Sequence, residues 1–227
     1  MADKKTSGVT EGSTHVQGGS FQIAEAYKMI RTNLLFTLAN TDKRTVVFSS
    51  AEPSAGKSTL CANLAIVMAQ MGIRVLLIDA DMRRPALSRL LMEKANPGLS
   101  EVLGGIVYSH EAIRKDVYPN LDILFSGETP PNPSELLGSD TMRELIDSMS
   151  QVYDYILVDT PPVGVVSDAS IVTSLLDGVL LLVRQGWARK ETVKRALENL
   201  ERTGIKPLGY VLNGVDLDEK HFDHYYY

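Results

Sequence analysis

A doubly wound α/β domain, built on a mostly parallel sheet flanked by helices, is the fold this 227-residue sequence predicts. Three observations carry that expectation. Short aliphatic and β-branched runs without polar alternation recur along the chain, the pattern of strands buried on both faces. Segments of helical spacing separate them, an order that produces crossover units and right-handed connections. Between the first such strand and the next helix lies Ala51-Glu52-Pro53-Ser54-Ala55-Gly56-Lys57-Ser58-Thr59. Small residues opening into Gly-Lys-Ser at a helix start form a phosphate-binding loop, so the domain is of the P-loop NTPase type.

Taken in order, residues 1–20 are rich in Gly, Ser, Thr and Lys, lack an apolar period, and read as a flexible tail. From Phe21, Ile23, Tyr27, Ile30, Leu34 and Leu38 recur at helical spacing, with Ser20 as a candidate N-cap. Glu25, Lys28 and Arg31, three apart, are expected on the opposite face. They are either a solvated face with weak ion pairs or a subunit interface. The first strand is expected near Val46–Ser50, ahead of the loop. After it, Leu60, Leu64, Val67, Met68 and Met71 form a stripe closed by Gly72, a C-terminal helix signal. Cys61 falls inside that helix and reads as a small packed residue.

Buried strands follow at 74–81, 154–159, 178–183 and 208–213, with a shorter one at 121–125; helices are expected over 141–152 and 190–202. Trp187, just beyond one of these strands, is expected to be partly buried. The folded domain therefore spans 21–215, leaving 216–227 as a flexible acidic tail ending in three tyrosines.

The site residues follow from this layout. Backbone amides of Pro53-to-Thr59 loop residues (Ser54, Ala55, Gly56, Lys57, Ser58 and Thr59) would cradle phosphates beside Pro53, Lys57 would reach the terminal ones, and the Ser58 hydroxyl suits Mg²⁺. Asp79, Asp81 and Asp159 end or directly follow strand patterns, so a parallel sheet brings them to the edge that carries the loop. Three carboxylates together require a neutralising cation, which Mg²⁺ with a nucleoside triphosphate supplies. One aspartate beyond the metal set offers a base for a hydroxyl proton. Arg83 and Arg84 follow at once, suited to phosphate, a neighbouring chain or surface pairing.

Gly56-Lys57-Ser58, Ile78-Asp79-Ala80-Asp81-Met82-Arg83 and Val158-Asp159-Thr160-Pro161-Pro162 resemble the three Walker-type motifs of the bacterial tyrosine kinases of capsular and exopolysaccharide synthesis. Pro130-Pro131-Asn132-Pro133-Ser134-Glu135-Leu136-Leu137 and the tail Tyr225-Tyr226-Tyr227 match too, so the likeness runs from about Phe21 to the end. The resemblance implies an ATP- and Mg²⁺-dependent protein-tyrosine kinase that phosphorylates its own Tyr225, Tyr226 and Tyr227, mainly between subunits. It implies Lys57 at the β/γ-phosphates, Ser58, Asp81 and Asp159 around the metal, Asp79 as the base, and Asn213 at the adenine. It further implies a ring-like homo-oligomer assembled through Glu25, Lys28 and Arg31. Its implied partners are a transmembrane polysaccharide co-polymerase adaptor acting in trans, tyrosine-containing protein substrates and an opposing tyrosine phosphatase. Lys28 stands where the family has arginine, whose bidentate fork a lysine lacks. Ser54 stands where the family often has glycine.

Composition bounds the alternatives. A net charge of −5 argues against nucleic acid as the main partner. One cysteine, no apolar run of spanning length and no signal-peptide core lead to the expectation of a cytoplasmic protein, recruited to the inner membrane face by its adaptor. The main rival is a partition or division-site ATPase switch of the same superfamily. Those proteins carry a signature lysine five positions before the loop lysine, where this chain has Glu52. A nucleotide-dependent scaffold without phosphoryl transfer is the other reading that stays open.

Overall fold

The computed structural model describes residues 21–39, 44–205 and 207–215. Ser20, the segment 1–20 and the tail 216–227 lie outside these residues. Seven strands form one sheet in the order β3-β4-β2-β5-β1-β6-β7. These are β1 (Thr45–Ser50), β2 (Val75–Asp79), β3 (Arg114–Tyr118), β4 (Leu121–Leu124), β5 (Tyr155–Asp159), β6 (Gly178–Arg184) and β7 (Pro207–Asn213). All pairings are parallel except the edge pair β3·β4.

Each central strand feeds both faces, which is why its sequence lacks alternation. Val47, Leu76, Ile78, Ile156 and Val158 point into one core. Val46, Phe48, Val75, Leu77 and Leu157 point into the other. Helix α1 (Phe21–Leu38), α2 (Lys57–Ala69) and the short α3 (Leu87–Leu90) cover the second face. The first face is covered by α4 (Leu99–Leu103), α5 (Ser109–Ala112), α6 (Pro133–Leu137), α7 (Asp140–Ser150), α8 (Asp168–Leu175) and α9 (Lys190–Arg202). Among the described residues, no helix is long and apolar enough to cross a membrane.

Several expectations are corrected. Helix α2 is buried almost all round rather than along a stripe, and Met71 lies beyond it, exposed. Strand β7 is an edge strand rather than a buried one, with Tyr210 and Leu212 open to solvent at 62% and 58%. Trp187 is also largely exposed (58%), with the Arg184 guanidinium 5.3 Å from its ring centre. Arg31 does not share an open face with Glu25 and Lys28. It turns toward α2, where its Nη1 donates to the Val67 carbonyl at 3.2 Å. Only the C-terminal half of α1, at Leu34 and Leu38, is fully buried, and Ile23 is exposed. The antiparallel strand β3 had no counterpart in the sequence reading.

The start of β1 is pinned to the turn before β6 by one carboxylate. Asp177 Oδ2 accepts hydrogen bonds from Arg44 N (2.9 Å), Thr45 N (3.0 Å) and Thr45 Oγ1 (2.8 Å), while Asp177 N donates to Thr45 Oγ1 (2.9 Å). Hydrogen bonds to a charged group contribute about 1.5–3 kcal/mol. Asp177→Ala is therefore expected to destabilise the fold by about 2 kcal/mol, lowering Tm by roughly 4–8 °C in a domain of this size. A melting curve checks this, and a shift under 1 °C would contradict it.

Candidate active site

The loop from Ala51 to Gly56 joins β1 to α2 and takes its shape from two positive-φ residues, Ser54 (φ 59°) and Gly56 (φ 94°). A left-handed conformation costs a non-glycine residue about 1–2 kcal/mol. The position that glycine often fills in the resembling family is thus one that geometry reserves for it, and Ser54 tolerates the strain. At Gly56 a side chain is excluded as well, since a Cβ there would sit 2.5 Å from Asn213 Nδ2. Helix α2 starts immediately afterwards without a side-chain cap. Its first amides face the loop, which makes the helix N-terminus an anion site.

The carboxylates converge through strand register. Asp79 of β2 pairs directly with Asp159 of β5, and both are fully buried. Lys57, itself buried, projects from the first turn of α2 and forms an ion pair with Asp159 Oδ1. Its ammonium also lies 3.3 Å from Ser58 Oγ. Burial alone would depress the Lys57 pKa, but the adjoining Asp159, with Asp81 and Asp79 further off, outweighs it and holds the lysine above its ordinary value. Asp79 goes the other way. Burial first, and then the Asp159 charge, push its pKa up to about 8 against the pull of Lys57.

Asp79 accepts from Asp81 N (3.2 Å) through Oδ1 and from Leu87 N (3.3 Å) through Oδ2. Asp81 accepts from Arg84 N at 3.0 Å. It is only 8% exposed, yet it lines the cleft, and burial raises its pKa despite Lys57.

The cleft has a volume of about 670 Å³ and brings together Pro53, Ser54, Ala55, Gly56, Lys57, Ser58 and Thr59 with Asp81. Asp79 does not line it. A second hollow, of about 620 Å³, lies on the other side of the loop between α1 and β7. Tyr27, Ile30, Leu182, Val211 and Asn213 line it, and it shares Ser54 to Gly56 and Thr59 with the cleft. Asn213 is partly committed there, its Nδ2 donating to Ala55 O at 2.7 Å, so it buttresses the loop.

The donors present suit Mg²⁺. Asp159 Oδ2 is buried and makes no hydrogen bond among the described residues. With the Ser58 hydroxyl and Asp81 it offers hard oxygen ligands, and Mg²⁺ typically takes one or two carboxylates plus substrate phosphates. Among the described residues no three His, Cys, Asp or Glu side chains form a metal-holding group on their own.

Sequence reasoning missed a latch beside this cleft. Arg83 pairs with the buried Asp168, Nε to Oδ2 at 2.6 Å and Nη2 to Oδ1 at 3.2 Å. Ser134 Oγ donates to Asp168 Oδ1 at 2.5 Å. Burial works to raise the Asp168 pKa, but the Arg83 and Ser134 hydrogen bonds overcome it and hold the carboxyl below its ordinary value. The latch ties the loop after β2 to α6 and to the start of α8, so the proline-rich segment that carries Ser134 has a structural task. Ser134 lies within a motif already noted, whereas no sequence signal singles out Asp168.

Glu25 and Lys28 form an ion pair at 2.6 Å on the surface of α1. Arg31 stands apart from it, so the three do not make one open face. Tyr225, Tyr226 and Tyr227 lie outside the described residues. Glu52 does not line the cleft; its carboxylate accepts from Arg189 N at 3.1 Å ahead of α9.

The chain resembles known proteins along most of its length. A family model described as an AAA domain matches residues 43–202. The chain is 40% identical over 204 residues to the tyrosine-protein kinase YwqD of Bacillus subtilis (strain 168), covering 90% of this chain and 86% of that one. The kinase domain of the Escherichia coli tyrosine kinase ETK superposes with a TM-score of 0.84 at 36% identity, covering 88% of this chain and 79% of that one. The septum site-determining protein MinD complexed with Mg-ADP, from Pyrococcus horikoshii OT3, is more distant, with a TM-score of 0.64, 26% identity and coverages of 78% and 72%.

The raised pKa of Asp79 has a consequence for stability. Its carboxyl ionises more readily in the unfolded chain, so it costs the fold nothing below its ordinary pKa. The cost grows as pH rises from there to about 8 and is constant above. Asp79→Asn removes that dependence. The Tm difference between Asp79→Asn and the parent is expected to shift in the variant's favour between pH 5 and pH 8.5. A difference independent of pH would contradict the buried-carboxyl assignment.

Proposed function

Because the chain belongs to the family of bacterial tyrosine-protein kinases, we propose that its cleft transfers the γ-phosphoryl group of ATP to tyrosines of its own tail, Tyr225, Tyr226 and Tyr227. The observation that carries this reading is the junction of the loop with the in-register pair Asp79 and Asp159, bridged by Lys57. The loop amides and Lys57 bind and orient the phosphates, Lys57 exchanging its Asp159 partner for phosphate oxygens. Ser58, Asp81 and Asp159 would hold Mg²⁺, which neutralises charge on the phosphates when bound. The adenine occupies the hollow between α1 and β7, where the Asn213 side-chain oxygen makes no hydrogen bond among the described residues.

As the tyrosine oxygen bonds to the γ-phosphorus, the bond to the bridging oxygen breaks, ADP takes the electron pair, and the phenolic proton passes to a carboxylate. We assign that proton to Asp79, which accepts it in its ionised form, a form that burial and the Asp159 charge disfavour below about pH 8 and that a cation bound at Asp159 would favour. An acceptor hydroxyl reaches it only if the 3.3 Å bond to Leu87 N opens. A second reading assigns the proton to Asp81, favoured by its place in the cleft wall.

The wider reading rests on family membership. It comprises transfer mainly between subunits of a ring-like homo-oligomer, in which Glu25, Lys28 and Arg31 take part. It includes a transmembrane polysaccharide co-polymerase adaptor acting in trans, other tyrosine-containing substrates and an opposing tyrosine phosphatase. On this reading the chain is a cytoplasmic kinase, recruited to the inner membrane face, that regulates capsular or exopolysaccharide synthesis. An ATPase switch is disfavoured by Glu52, which is engaged with Arg189 and carries the wrong charge for a phosphate.

Incubation with Mg·ATP and mapping of phosphate tests the proposal. The parent is expected to carry phosphotyrosine in its tail, Lys57→Met to lose it by at least 100-fold, and Tyr225/226/227→Phe to turn over ATP without it. ADP formation with no phosphotyrosine in the parent, even with the adaptor present, would favour the switch.

A further inference from the structure

Two arginines at the cleft have no part in the nucleotide reading. Arg83 is spent on Asp168 and Ser134. Arg84 and Arg89 line the same cleft as Asp81, are exposed, and their side chains make no hydrogen bond or ion pair among the described residues. Both are mounted on the segment that the aspartates hold. Arg84 N donates to Asp81, and Leu87 N, at the start of the helix that carries Arg89, donates to Asp79. The backbone that carries them is therefore tied to Asp81 and Asp79. The facing wall, Pro161, Pro162, Val165 and Val166, is uncharged.

The phosphate loop separates this cleft from the hollow beside Asn213. A nucleotide lying across the loop, with its base in that hollow, leaves the Asp81 side as the way in for an acceptor. On a chain of net charge −5, an unpaired arginine pair at that entrance is a local reversal of sign. Guanidinium groups pair with carboxylates in a planar, two-point manner.

We propose that Arg84 and Arg89 select the acceptor, binding carboxylates that flank the target tyrosine, so that the enzyme prefers tyrosines in acidic peptides. This rests on the kinase reading above and extends it to substrate class. The chain's own terminus fits: Asp216, Asp218, Glu219 and Asp223 precede Tyr225, against one lysine, Lys220.

The test uses the full chain carrying Tyr225/226/227→Phe, so that only an added peptide accepts phosphate. Two peptides are compared, residues 216–227 and the same peptide with its four acidic residues changed to Asn or Gln. The parent is expected to show a KM about tenfold lower for the acidic peptide, two exposed ion pairs being worth about that much. Arg84→Gln/Arg89→Gln is expected to treat the two peptides alike, and Arg84→Lys/Arg89→Lys to keep part of the preference. Arg84→Glu/Arg89→Glu is expected to prefer a peptide with lysine at the four positions. Each readout is a ratio within one variant, so a change in stability does not imitate it. No preference in the parent, an undiminished preference in the Gln variant, or an effect confined to the KM for ATP would overturn the assignment. If the parent hydrolyses ATP but phosphorylates neither peptide, the kinase reading itself fails.

Discussion

Asp79 and Asp159 face each other across neighbouring strands, fully buried, and the remainder of the structure depends on how that pairing is tolerated. Two carboxylates so placed cannot both ionise cheaply. Lys57 neutralises one of them from the first turn of α2, and Asp79 responds by holding its proton to about pH 8. The lysine reaches Asp159 only because the preceding loop turns sharply at Gly56. The carboxylates meet only because β2 and β5 are parallel neighbours with β5 next to β1. Loop, helix and sheet are thus joined by one charge arrangement, in which Lys57 balances Asp159 and Asp79 keeps its acid form to about pH 8.

Around that centre the fold divides the work. On one side of the loop, Tyr27, Leu182 and Asn213 bound a hollow of mixed character. On the other, the segment after β2 is held by three anchors: Asp79 to Leu87 N, Asp81 to Arg84 N, and Arg83 to Asp168. The Arg83 anchor reaches 85 positions along the chain and recruits Ser134.

Much of this was legible in the sequence because the signals were long or locally complete. Six apolar runs and the helices over 141–152 and 190–202 correspond to real elements, and Asp79 and Asp159 do end neighbouring strands. What failed has physical causes. Strand β3, with Arg-Lys-Asp-Val-Tyr, is half-exposed at an antiparallel edge and carries no buried-strand signature. Strand β7 is apolar in sequence but lies at the other edge, where composition does not report burial. Arg31 was assigned to the open face by spacing alone, whereas its long stem lets it reach Val67 O. Asp168 pairs with a residue remote in sequence, and nothing local to Ser167-Asp168 announces it. The depth of Asp79 relative to Asp81 is also invisible in the spacing Asp-Ala-Asp, which marks both as strand-end residues.

Transfer to the tail is tested most directly by mixing two complementary variants. A full chain with Lys57→Met keeps its tyrosines but lacks the phosphate-binding lysine, and one with Tyr225/226/227→Phe keeps the site but lacks the acceptors. The two are combined with Mg²⁺ and ATP labelled at the γ-phosphate, and each chain is then mapped for label. The expected result is label on the tail tyrosines of the Lys57→Met chain, at a rate that rises with the concentration of the other. Production of ADP with no label on tyrosine in that chain would contradict transfer between subunits at this site.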